Sequence, residues 1–247
     1  MAKHLIYPIG SGRSCRFAAQ MLQQRGFALV DHPTPEVTHL LLDVPSFGND
    51  GMLRGGGDVG RILEMLPRYI TVIGGNTEHP ALEEYKCMDL LKDEFYLAAN
   101  AAITAECALQ VAAPLLTTTF SGISVLVIGW GRIGKCLAKL LKAIGAEVTV
   151  AARKSTDRAM LEALGYRTVE PARIAGSFRL IFNTAPAPML RAEQLNQFKN
   201  CVKIDLASRR GLEGEDVIWA RGLPGIHAPE SSGQLIADTV LRLIKEE

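Results

Sequence analysis

Gly129, Gly131 and Gly134 stand in the phrase Gly129-Trp130-Gly131-Arg132-Ile133-Gly134, directly after the aliphatic run Ser124 to Ile128 and before a segment with apolar residues at helical spacing. A strand, this turn and a helix, in that order, form a cradle for the pyrophosphate of a dinucleotide. Gly129 permits the tight turn, Gly131 lets backbone approach the ligand, and Gly134 lets helix and strand pack closely, while the helix N-terminus faces the phosphates. Trp130, Arg132 and Ile133 fill the intervening positions. The stretch Gly129 to Cys136 also reads as the Gly-x-x-x-x-Gly-Lys loop of a nucleotide triphosphatase, but Cys136 stands where that loop needs the hydroxyl that ligates magnesium. The dinucleotide reading is the stronger, and Lys135 becomes a solvated residue of the first helical turn.

The residues after the next strand decide between dinucleotides. A carboxylate there bonds the ribose 2′-hydroxyl of NAD, whereas cations accommodate the 2′-phosphate of NADP. The segment reads Ala151-Ala152-Arg153-Lys154-Ser155-Thr156. Arg153, Lys154 and the Ser155 hydroxyl form a phosphate pocket with a bidentate donor, so NADP is the expected cofactor; an exposed basic turn is the alternative.

Three further segments fall after expected strands, where ligands bind in open α/β sheets. In Asn183-Thr184-Ala185-Pro186, the first two residues should flank the nicotinamide ribose. In Asp205 to Arg210, Asp205 reads as a base or as a residue that orients the loop, and Arg209 or Arg210 as a clamp for a substrate carboxylate or as a surface ion pair. The stretch Gly222 to Gly233 should cover the nicotinamide, with Ser231 and Ser232 offered to substrate. His227, within it, is the natural proton acceptor, since histidine exchanges protons near neutral pH; a structural role is the alternative. Asn100 and Thr104, four residues apart, share a helix face that could line the cleft or serve helix packing, and Glu106 points away from it.

These residues need a scaffold of alternating strands and helices. Strands are expected at His4 to Ile9, Phe27 to Val30, Leu40 to Val44 and Tyr69 to Ile73, with helices around Phe17 to Leu22 and Val59 to Leu66 and a mobile glycine-dense loop from Gly48 to Gly57. An Ala-rich helix follows from Asp93 to about Leu116. The pattern restarts at Ser124, with a helix from Arg132 to Ile144, strands at Glu147 to Val150, Leu180 to Phe182 and Val202 to Ile204, a helix from about Leu161, and a last helix from Ser232 to Ile244. The fold class expected is α/β, two doubly wound parallel-sheet domains with a Rossmann domain second. The division expected is an α/β domain over 1–95, an interdomain helix over 96–116, the nucleotide-binding domain over 117–228, and a C-terminal helix over 229–247 packing across the junction.

The 27 Lys and Arg against 26 Asp and Glu leave a net charge of +1, without the basic footprint that nucleic-acid binding needs. Five scattered cysteines, Cys15, Cys87, Cys107, Cys136 and Cys201, suggest neither disulfides nor a metal site but thiols in a reducing compartment. Met1 to Gly10 turns polar too soon for a secretion leader. Leu97 to Leu116 has the length of a membrane span, yet Asn100, Glu106, Gln110 and Pro114 argue for a buried helix of a soluble protein. No membrane contact is expected.

From Asp89 onward the chain resembles the A subunits of dipicolinate synthase, the enzyme that makes dipicolinic acid in spore-forming bacteria. The phrases that carry the resemblance are GWGRIG, FNTAP, DLASR and GLPGIHAPESSGQ, in this order, with Asn100, Thr104 and Glu106 before them; residues 1 to about 85 match more loosely. The resemblance implies a two-domain cytoplasmic enzyme that uses NADP to oxidise a dihydropyridine dicarboxylate from the lysine pathway to pyridine-2,6-dicarboxylate during sporulation. It also implies a flavoprotein-like partner, the B subunit, and a homo-oligomer is expected. The setting of His227 is also similar to the histidine loop of D-2-hydroxyacid dehydrogenases, which makes an NADP-linked 2-hydroxy or imino acid dehydrogenase the second reading. A non-catalytic NADP-binding subunit that needs its partner is the third.

Overall fold

The computed structural model describes residues 4–246. Its order is β1 (Leu5–Pro8), α1 (Arg13–Gln24), β2 (Ala28–Leu29), β3 (His39–Leu41), α2 (Val59–Leu63), β4 (Thr71–Gly74), β5 (Lys86–Asp89), α3 (Glu94–Ala112), β6 (Ser124–Ile128), α4 (Arg132–Ala143), β7 (Glu147–Ala151), α5 (Ser155–Ala163), β8 (Arg167–Val169), β9 (Leu180–Asn183), α6 (Ala192–Leu195), β10 (Val202–Asp205), β11 (Val217–Trp219), α7 (Leu223–His227) and α8 (Pro229–Glu246). Every strand pairing is parallel, in two sheets ordered β2-β1-β3-β4-β5 and β11-β10-β9-β6-β7-β8. The first is the flavodoxin-like order and the second the Rossmann order, so the expected two parallel α/β sheets are present.

The chain forms two compact units, one running up to Asn100 and resuming at Pro224, the other spanning Ala101–Leu223. This differs from the expected division in two places. The break falls inside α3 rather than after it, and α8, expected across the junction, belongs to the first unit. Ile236, Ala237 and Val240 of α8 share a core with Ile6, Cys15, Ala18, Leu22 and Tyr96. A Cβ on Gly233 would lie 2.5 Å from the Cβ of Phe17 and 2.8 Å from the carbonyl oxygen of Ser14, so α8 rests directly on α1. Arg25 pairs with Asp238 at 2.5 Å, and Arg242 with Asp93 at 2.6 Å. We expect Gly233→Val to cost about 1–3 kcal/mol by forcing the two helices apart, read as a lower urea midpoint at unchanged slope.

Asp93 starts α3, its carboxylate accepting the Tyr96 N–H at 2.7 Å. Together with the turn that follows, Glu94–Leu115 is long and apolar enough to cross a membrane, and the helix buries Tyr96, Ala101, Thr104, Ala105, Cys107, Ala108 and Ala112 in the protein. Burial pushes the Cys15 thiol up to about 12 and Cys201 up to about 11, so neither forms a thiolate near neutral pH.

Other expectations shift for local reasons. The stretch Gly222 to Gly233, read as a loop, is α7 and the start of α8. Its Pro224 and Pro229 stand in first helical turns, where a missing N–H costs nothing. The helix expected from about Leu161 is α5, which begins six residues earlier at Ser155. β5, β8 and β11 were not expected; they run only three or four residues and begin or end on exposed side chains. The glycine-dense loop is tied down, Phe47 bridging Leu53, which is buried.

Candidate functional site

In the second unit, β6 ends at Ile128 and the chain turns through Gly129 with φ at +103°. That backbone is open to glycine and strained for other residues. A Cβ there would also lie 2.6 Å from the Thr184 hydroxyl. The Gly129 N–H donates to the Ala151 carbonyl at 2.9 Å, which ties the turn to β7. Gly134, on the first turn of α4, lies so close that a Cβ would overlap the Gly129 carbonyl. Helix and strand therefore touch through bare backbone.

Gly131 is different. It caps α4 with φ −81° and ψ −168°, offers no side chain to the helix end, and a Cβ there would meet nothing within 4 Å. The first-turn N–H groups of a helix lack intrahelical acceptors and lie at its positive pole. The twelve-residue α4 presents that pole at an uncovered turn. These residues fit a dinucleotide pyrophosphate. Lys135 is exposed, with its ammonium 5.9 Å from the Trp130 ring centre, and Trp130 meets Tyr166 edge-on at 5.9 Å.

At the neighbouring strand ends, Asn183 and Asp205 are register partners on β9 and β10 and both are wholly buried. Asp205 accepts four hydrogen bonds: Oδ1 from Asn183 Nδ2 at 2.9 Å and Ala207 N at 3.0 Å, Oδ2 from Gly211 N at 2.7 Å and Leu212 N at 2.9 Å. A carboxylate so occupied has no lone pair left for a substrate proton. Of the two roles expected of Asp205, the structure gives it the second, fixing the loop, and corrects the first. Asn183 closes its own turn, donating to the Ala185 carbonyl and accepting the Ala185 N–H, both at 3.1 Å. It shapes the turn from within rather than flanking a ribose. Thr184 donates its hydroxyl to the Ile128 carbonyl at 3.0 Å, locking β9 to the glycine turn. Ala185, half-buried, and Pro186, exposed, are left at the surface.

Arg210 is also corrected as a clamp. Its Nε donates to the Leu212 carbonyl at 3.2 Å and its Nη2 to the Gly214 carbonyl at 2.8 Å, so it braces the loop. Arg209 is exposed on that loop. Trp219 of β11 adds a second brace, donating from Nε1 to the Ala207 carbonyl at 3.0 Å.

At the end of β7, Ala152 is buried and donates its N–H to the Val169 carbonyl at 3.1 Å, while Arg153, Lys154 and Ser155 are exposed where α5 begins. Arg158, which sequence reasoning passed over, donates from Nη1 to the carbonyls of Ala152 and Arg153, both at 2.8 Å. Only its spacing after a basic turn could have singled it out.

The structure thus brings the glycine turn, the Asn183 and Asp205 loops and the Arg153 turn to the C-terminal ends of four adjacent strands, β7-β6-β9-β10. Thr104, buried on α3, belongs to this unit, and Asn100, half-buried, is the last residue before it. His227, Ser231 and Ser232 lie outside it. His227 is exposed at the end of α7; Ser231 is exposed and Ser232 buried in the first turn of α8, which takes Ser232 away from substrate.

Residues 97–217 match the family described as D-isomer specific 2-hydroxyacid dehydrogenase, NAD binding domain. Over 159 residues the chain is 31% identical to the dipicolinate synthase A subunit of Bacillus subtilis (strain 168), a match covering 60% of this chain and 54% of that protein. The match therefore spans about half the length of that relative. A stretch of 116 residues is 38% identical to NADP-dependent alcohol dehydrogenase C 1 of Mycolicibacterium smegmatis, covering 39% of this chain and 32% of that one. The crystal structure of the dipicolinate synthase A subunit from Bacillus halodurans has the same fold, with a TM-score of 0.84 over 100% of this chain and 99% of that chain at 23% identity. The second unit therefore has the Rossmann strand order, residues 97–217 resemble the NAD-binding domain of D-isomer specific 2-hydroxyacid dehydrogenases, and the chain resembles the A subunits of dipicolinate synthase.

Proposed function

We propose that the chain is an NADP-dependent oxidoreductase of the dipicolinate synthase type, oxidising a dihydropyridine dicarboxylate from the lysine pathway to pyridine-2,6-dicarboxylate in the cytoplasm of a sporulating cell. The observation that carries the reading is the uncovered α4 N-terminus at Gly131 beside a β7 tip that bears Arg153 and Lys154 and no carboxylate. The substrate class rests on the likeness to the A subunits of dipicolinate synthase. The NADP dependence of the Mycolicibacterium alcohol dehydrogenase agrees with the basic turn.

When bound, the nicotinamide supplies the hydride acceptor. The chain's own residues do the rest. Gly131 admits the pyrophosphate to the α4 amides, Arg153, Lys154 and Ser155 hold the 2′-phosphate, and Ala185 and Pro186 line the ribose side. Arg209 offers a bidentate guanidinium to a substrate carboxylate, with Thr104 of the same unit as a further polar contact. His227, exposed at the end of α7, takes the proton that leaves as the ring becomes aromatic. The likeness to an A subunit points to assembly with a flavoprotein-like B subunit, and a homo-oligomer is proposed beside it.

The test is to mix purified chain, NADP⁺ and freshly generated precursor and follow reduced nicotinamide by its near-ultraviolet absorbance. Turnover by the chain alone is the expected result. Turnover only once the B partner is added would make this a cofactor-binding subunit instead. Turnover of simple 2-hydroxy acids in place of the precursor would favour the second reading, which the match to the 2-hydroxyacid dehydrogenase family supports. His227→Gln should lower kcat by about 10²–10⁴-fold while leaving the NADP⁺ dissociation constant unchanged; an unaltered kcat would remove His227 from the chemistry.

A further inference from the structure

We infer that Arg158 determines specificity for a nucleotide bearing a 2′-phosphate, by covering the backbone carbonyls at the β7 tip; the inference rests on the NADP reading above. A dinucleotide site presents the end of its second strand to the adenosine ribose, and here that end is Ala151, followed by the Ala152–Lys154 turn. Two of the turn's carbonyl oxygens, those of Ala152 and Arg153, accept from Arg158 Nη1, both at 2.8 Å, and the third, of Lys154, accepts the Arg158 backbone N–H. Bare carbonyl oxygens at this place would suit a ribose hydroxyl, which donates a hydrogen bond, and would repel a phosphate, which only accepts. A guanidinium laid on them reverses that preference. Two of its five N–H groups are spent on the carbonyls, and the Nε and Nη2 donors remain for phosphate oxygens.

Position supports the same conclusion. Arg158 sits on α5 one turn beyond Lys154, so the helix carries it back over the turn it braces. Asp157, in the first turn of α5, opposes a phosphate. Arg153 and Lys154 are exposed, whereas Arg158 is held by two backbone carbonyls before any ligand arrives. A cation already fixed loses less freedom on binding than one that must be ordered.

The test is calorimetric titration of the whole chain with adenosine 2′,5′-bisphosphate and with adenosine 5′-diphosphate, for the parent, Arg158→Ala and Arg158→Lys. The parent should favour the 2′,5′-bisphosphate. Arg158→Ala should weaken that probe about tenfold or more and leave the diphosphate within about twofold of the parent, collapsing the ratio. Arg158→Lys keeps the charge without the planar fork and should recover part of it. Equal weakening of both probes, or an unchanged ratio in both variants, would overturn the role of Arg158 while leaving NADP as the cofactor. A parent that favours the diphosphate would overturn the NADP reading and this inference with it. Arg158→Lys also serves should the alanine variant fail to fold.

Discussion

Asp205→Ala should lower the unfolding free energy by about 3–5 kcal/mol, the range for removing one side of a buried charged network. The carboxylate is wholly buried and accepts from Asn183 Nδ2 and from the N–H groups of Ala207, Gly211 and Leu212. Alanine leaves four donors without acceptors, each of which costs about 1–3 kcal/mol unless water enters. Gly211 allows little room for a rearranged loop, since a Cβ on it would lie 2.6 Å from Asn183 Nδ2. Asp205→Asn keeps one acceptor oxygen and turns an NH₂ group toward donors, so its cost should fall between parent and alanine. Urea midpoints of the three proteins check this. A loss below about 1 kcal/mol for alanine would mean that the 206–212 loop is held by Arg210 and Trp219 instead.

Gly131→Val and Gly134→Ala should fail in opposite ways, although they stand three residues apart in one turn. At Gly131 the backbone is ordinary for any residue and a Cβ meets nothing within 4 Å, so valine fits the free protein. It would stand where a pyrophosphate must approach backbone, and NADP⁺ affinity should fall about 100-fold with the melting temperature nearly unchanged. At Gly134 a methyl overlaps the Gly129 carbonyl, a backbone atom that cannot turn aside. Alanine should cost about 2–4 kcal/mol by prising α4 from β6, and binding is lost with the fold. Thermal melts and nucleotide titrations of both variants separate the two. Equal destabilisation by the two changes would show that Gly131 serves packing rather than a ligand.

The elements that the sequence made legible are those with a local cause. The run Ser124 to Ile128 is β6 at both ends, and the glycine spacing after it placed the turn and the start of α4. Helical spacing put Ile133, Cys136, Leu137, Leu140, Leu141 and Ile144 on one inward stripe of α4; the structure buries Leu137 and Leu141 with Gly134 and Ala138, half-buries Ile133, Cys136 and Leu140, and leaves Ile144, just past the helix, exposed. What escaped depends on contacts distant in sequence. Nothing in the pattern of α8 says that it packs on α1, more than 200 residues earlier, rather than on the nearer unit. Pro224 and Pro229 read as loop because proline marks both loops and helix starts. A carboxylate after a strand looks the same whether it faces substrate or the amides of its own loop, and only the four bonds to Asp205 decide. Arg210 and Arg158 are alike in this respect. Both are arginines whose donors are taken by nearby carbonyls, which residue type alone does not reveal.

The most direct test is a crystal structure of the chain with NADP⁺ at saturating concentration. The pyrophosphate is expected against the first-turn amides of α4 beside Gly131, and the 2′-phosphate at the Ala152–Lys154 turn within hydrogen-bonding distance of Arg153 and Arg158. A nucleotide bound anywhere other than the C-terminal edge of β6 and β7, or no nucleotide bound to a well-ordered second unit, would contradict it.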